Sequence, residues 1–266
     1  MILQNMADTG AGQAKVFVIK NVEHALLAAS LAEHFGNDRF DIPQPFDEIL
    51  YLVTHHDHGW LELDENPPLD EQGLPYNLVK TPFNYILETS RASPDFNQAH
   101  SPFCGLVSSM HSYGLYNGRY GLSDAINLDW VPPEYRTELD AMLDSEMSRQ
   151  QQLRTECAQY TDETVFTVYK FLQFVDACAL YFNANQAGHR GNAVFRNVPQ
   201  KPGADVDIEL RETTDGSYQF EPFPFNEDVF ELYQLGRYLG PGELQSLENG
   251  MKSTETEQQT LKIRRN

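Results

Sequence analysis

The sequence predicts a mostly α-helical bundle with a small β appendage towards its C-terminal end. Apolar residues recur at three- and four-residue intervals through roughly the first 185 positions, the signature of helices with a buried face. A hydroxyl residue followed by proline, at Thr81-Pro82 and Ser101-Pro102, marks helix starts along the same stretch. After Gly188 the spacing changes to alternation of apolar and polar residues, the strand pattern. The expected division is a helical domain over residues 14–190, a β-rich appendage over 191–245 packed on it, and a polar tail over 246–266.

Taken in order, the first helix is expected from Asn21 to Phe35, where Val22, Ala25, Leu27, Ala28, Leu31, Ala32 and Phe35 make one face and Gly36 is placed to end it. His24 lies in its first turn. The second begins near Pro45-Phe46-Asp47, carries Ile49, Leu50, Leu52 and Val53, and runs into His55-His56-Asp57-His58 before Gly59. Pro67, Pro68, Gly73 and Pro75 then break regular structure and predict a surface loop at the mouth of a pocket. On the helix opened by Ser101-Pro102, Cys104, Val107 and His111 share a face, so His111 should point inward. Pro132-Pro133 opens a long charged helix with a single stripe of Leu139, Met142, Leu143, Met147 and Leu153. From Thr161 to Phe182 nearly every residue is apolar, which predicts a central buried helix with Asp176 in its middle. Beyond Gly188, Val206, Ile208 and Leu210 alternate, Asp215-Gly216 supplies a hairpin turn, and Tyr218 and Phe220 resume the pattern. A further strand is expected around residues 230–232, and the end from Gly250 onward reads as polar and frayed.

Composition narrows the function. The chain has 266 residues, long enough to bury a core, and 39 acidic against 19 basic side chains give a formal charge of −20. Such a surface repels a phosphate backbone, which argues against a nucleic-acid polymer as partner. Cys104, Cys157 and Cys178 lack metal-finger spacing and sit in apolar stretches, so buried free thiols are expected. The start carries no basic leader before an apolar run, and about 18 consecutive apolar residues occur nowhere, so neither secretion nor membrane insertion is expected and a cytoplasmic protein is inferred. No Ser-His-Asp arrangement is visible, and Gly10-Ala11-Gly12 precedes no convincing strand.

The chemistry centres on Asp176. An ionised carboxylate inside an apolar helix is costly to desolvate, so it should be protonated, paired or bound to metal. A salt bridge from another helix would satisfy it. His24, His56 and Asp57 also lie on or at the end of helices with core faces; each histidine alone could be a satisfied core residue, but imidazole and carboxylate together suit zinc, iron or manganese.

The blocks EHALLAASLAEHFG, THHDHGW, VSSMHSYGLY and FLQFVDACAL resemble the successive motifs of an uncharacterised bacterial family within the HD-domain superfamily, over roughly the first 185 residues. The resemblance implies an HD-like helical bundle in which His24, His56, Asp57 and Asp176 hold a divalent ion, Zn, Mn, Fe or Mg. A second ion would use His111 and His100. His58 stands where relatives often carry another acid. The activity implied is metal-dependent hydrolysis of a small phosphoester or nucleotide, with Asp57 bridging two ions and His58 or His55 protonating the leaving oxygen. An anionic substrate would lean on Lys80, Arg91 and Arg119, the cations closest in sequence. Two alternatives stay open: an HD-type di-iron oxygenase using His24, His56, Asp57, His100, His111 and Asp176, and a non-catalytic metal or ligand sensor or scaffold. Trp60 could stack on a substrate or cover the core, and His34 and His189 read as surface residues.

Overall fold

The computed structural model describes residues 1–4, 15–123 and 131–266. Its helices are α1 (Asn21–His34), α2 (Phe46–His55), α3 (Leu61–Glu65), α4 (Phe83–His100), α5 (Pro102–Gly114), α6 (Gly118–Gly121), α7 (Arg136–Glu156), α8 (Asp162–Ala184), α9 (Pro241–Gln245) and α10 (Leu247–Ser253). The strands are β1 (Ile2–Leu3), β2 (Val16–Ile19), β3 (Ala193–Lys201), β4 (Ala204–Glu212), β5 (Tyr218–Glu221), β6 (Val229–Leu239) and β7 (Glu257–Arg264). They form one curled sheet of seven strands in the order β1-β2-β6-β7-β5-β4-β3. Neighbouring strands pair antiparallel except β5 and β7, which are parallel.

The fold is therefore α/β, neither all-α nor the mostly α bundle that the helical periodicity predicted. Nor is the sheet a C-terminal appendage, because β1 and β2 come from the start of the chain and pair through β2 with β6. The segment expected to fray ends in β7, which lies between β6 and β5 and pairs with β6 from Val229↔Arg264 to Gly236↔Glu257. Gly10 and Gly12 lie outside the described residues.

Helices and sheet share one apolar core. Leu27 and Leu31 of α1, Leu52 of α2, Leu172 and Val175 of α8, Ile208 of β4, Phe220 of β5 and Leu261 of β7 belong to a single buried cluster. At its centre α8 packs against α1, α2, α5 and β3. Thr161 caps it by accepting the Thr164 N–H at 3.1 Å, and burial on several sides explains its uniformly apolar sequence. The helix is long and apolar enough to cross a bilayer, yet most of it is buried inside the protein. Ser101 caps α5 as its Ser-Pro signal predicted, accepting from Cys104 N–H at 3.1 Å. At the other start, Thr81 lies one residue too early, and Pro82 flanks α4 instead. The Asp215-Gly216 turn closes the β4–β5 hairpin, with Thr213 N–H donating to Ser217 O at 2.8 Å and Gly216 at φ 78°. The three cysteines are buried and free.

Candidate metal centre

Four elements deliver the histidines and aspartates to one place. His24 sits on the buried face of α1, whose N-terminus is fastened by Asp64 of α3. The Asp64 carboxylate accepts from the Asn21 side chain at 3.0 Å and from Val22 N–H at 3.1 Å, a favourable place for negative charge. Burial nevertheless pushes the Asp64 carboxyl up to about 6. His56 and Asp57 follow the last turn of α2, where Gly59 lets the chain pass against α4: a Cβ there would lie 2.4 Å from Thr89 O and 2.8 Å from Ser93 N. His111 comes from α5 and Asp176 from α8.

His24, His56, His111 and Asp176 are buried, and Asp57 keeps 18% of its side chain exposed. His24 Nε2 is 3.1 Å from Asp176 Oδ1 and His56 Nε2 is 3.6 Å from the same oxygen. His56 Nε2 is 3.8 Å from Asp57 Oδ2. The His56 ring meets those of His24 and His111 edge-on, each at 5.5 Å between centroids. Among the described residues, two groups have ligand-type atoms within 4.8 Å of one another: His24, His56 and Asp57, and His56, His111 and Asp176. His56 belongs to both.

The far nitrogen of each ring fixes what the near one can do. His24 Nδ1–H donates to Asn183 Oδ1 at 2.8 Å, and His56 Nδ1–H donates to Val53 O at 2.7 Å. Both rings thus turn Nε2 towards carboxylate oxygen, an arrangement that is favourable only when that nitrogen carries a second proton or a cation lies between. His56 Nε2 is buried and has no hydrogen-bond partner. Without metal, burial opposes the charged imidazole, but Asp57 and Asp176 outweigh it and raise His56 to about 9. Burial likewise opposes ionisation of Asp176, and the hydrogen bond from His24 together with the nearby His56 imidazole overcomes it, holding the carboxyl well below its usual range. His111 differs: burial lowers it to about 4, and its Nδ1 accepts from Gln173 Nε2 at 2.7 Å, which leaves its own proton on Nε2.

The remaining candidates stand apart. His100 ends α4, is exposed, and stacks on Tyr51 at 3.5 Å; it joins neither group. His55 donates through Nδ1 to Tyr51 O at 2.8 Å, and His58 stacks on Phe96 at 3.4 Å. Burial and the neighbouring His55 lower the His58 imidazole. Trp60 is buried against the fold, Arg91 pairs with Glu138 at 2.9 Å, and Lys80 is exposed. His34 and His189 lie outside both groups.

Sequence reasoning missed Asn183, Gln173 and Asp64. Behind Asn183 a polar chain crosses into the sheet: Asn183 Nδ2 donates to Gln234 Oε1 at 3.1 Å, Gln234 Nε2 to Gln259 Oε1, and Gln259 Nε2 to Tyr238 OH at 2.8 Å. The available signal was an Asn seven residues after Asp176 on an otherwise apolar helix, two turns along the same face.

Fold and site together define an α/β protein with a buried cluster of three histidines and two aspartates at the junction of four helical elements. Residues 6–240 match the model of the family described as protein of unknown function (DUF3891), and the chain belongs to that family. Neither a curated protein nor a solved structure matches it.

Proposed function

We propose that the chain is a metal-dependent hydrolase of the HD type, acting on a small phosphoester or nucleotide. The observation that carries the reading is His56 Nε2, buried without a hydrogen-bond partner and facing Asp57 and Asp176 at 3.8 and 3.6 Å. A divalent cation relieves both carboxylates and gives the imidazole lone pair a use. His24, His56, Asp57 and Asp176 would hold it, a mixed nitrogen and oxygen set that suits zinc, iron or manganese better than magnesium. When bound, such an ion supplies Lewis acidity towards a phosphoryl oxygen and acidifies water.

The chain's own groups do the positioning. Asn183 Oδ1 and Val53 O hold the tautomer of His24 and His56 that presents Nε2. Asp57, the most exposed member, is the carboxylate through which a ligand from solvent meets the cluster. Proton donation to a leaving oxygen fits His58 poorly, because its lowered pKa leaves it neutral at pH 7; the same property suits it to accept a proton. The di-iron oxygenase set needs His100, which is stacked on Tyr51 away from the cluster, so the hydrolase reading is preferred.

Elemental analysis of protein purified without chelator, followed by a phosphomonoesterase and phosphodiesterase panel with zinc, manganese, iron and magnesium, tests the proposal. Bound metal and steady phosphate release abolished in Asp57→Ala are expected. A chain that neither retains metal nor takes it up with better than roughly millimolar affinity overturns it.

A further inference from the structure

Gln173, the hydrogen-bond partner of His111, also lines a cavity of about 270 Å³ whose walls come mainly from α6, α8 and β3. Its polar lining is Arg119, Ser123, Lys170, Gln173, Arg196 and Asn197. In a chain with 39 acids and 19 bases, cations are expected to be taken up by ion pairs. Lys170 is, by Asp205 at 2.5 Å. Arg119 and Arg196 have no carboxylate partner among the described residues, and Arg119 Nε is buried without any hydrogen bond. The backbone is also unusual here. Arg119 and Asn197 have φ of 52° and 56°, in the left-handed region that side-chain-bearing residues avoid, and Asn197 lies in the β-bulge between Phe195 and Val198. Held conformations of this kind collect where a ligand is gripped.

Gln173 marks the inner wall of the cavity. It is only 6% exposed, gives Nε2 to His111, and has an Oε1 that is buried without a partner.

We propose that this cavity binds a phosphate-type oxyanion through Arg119 and Arg196, independently of the metal-centre reading.

The test begins with chelator-treated full-length protein titrated with inorganic phosphate by calorimetry. Expected is a dissociation constant of about 1 mM or tighter, weakened at least tenfold in the double variant Arg119→Gln, Arg196→Gln, with circular dichroism unchanged. No phosphate binding, or equal binding by wild type and double variant, overturns the site.

Discussion

A divalent ion entering the His24–His56–Asp57–Asp176 cluster has to displace a proton. In the metal-free protein Asp57 and Asp176, against the pull of burial, raise His56 to about 9. At pH 7 about one molecule in a hundred therefore has His56 neutral, and its contribution weakens apparent metal affinity about 100-fold from the high-pH limit. Asp176 is already ionised and His111 already neutral there, so neither adds to this slope. Affinity should rise about tenfold per pH unit between pH 6.5 and 8.5, with His56 releasing one proton per ion. Calorimetric metal titrations in buffers of different ionisation enthalpy read that proton directly. The same shift bears on metal-free stability. A raised folded-state pKa stabilises fully below the unfolded value near 6.5, and the gain, on the order of 3 kcal/mol, is lost as pH rises through about 9. Thermal melts of the chelated protein should fall across that window, and those of metal-loaded protein should not. Metal affinity that is flat from pH 6.5 to 8.5, with no buffer-dependent heat, refutes the reasoning.

Three further perturbations follow from the geometry. Asn183→Leu removes the acceptor for His24 Nδ1–H and should weaken metal binding about 10–100-fold by calorimetry while far-ultraviolet circular dichroism is retained. Gly59→Ala sets a Cβ against the α4 backbone and should cost about 1–3 kcal/mol in urea denaturation, with metal affinity reduced because the His56-Asp57 turn shifts. Deleting residues 257–264 removes a strand from the middle of the sheet and exposes the edges of β5 and β6; the product should be insoluble, and a soluble monomer with native circular dichroism would contradict the strand order.

The helical half was legible because its elements are amphipathic and its start signals are local, and His24, His111 and Asp176 could be placed because each interrupts a face otherwise made of core residues. His100 could not. It ends a helix whose polar and apolar residues are mixed, and neither spacing nor residue type separates a ligand from a surface ring stacked on Tyr51. The sheet was under-read for a different reason. β2 is four residues long, too short to show a period, and β6 hides its alternation by burying Gln234 between Leu232 and Gly236. β7 buries only Leu261 and Ile263 of its eight residues, so its sequence looks like a solvated tail until β6 and β5 are set beside it. The Asn183–Gln234–Gln259 chain was invisible because its members are brought together only by that sheet.

β7 also has a consequence for how the protein folds. Until residues 257–264 dock, β5 and β6 flank an empty lane and the core lacks Leu261 and Ile263. In that interval the chain carries two unzippered edges, the condition under which neighbouring polypeptides can strand-swap. Yield in a heterologous host should therefore respond to chaperone supply more strongly than the finished molecule's stability would suggest.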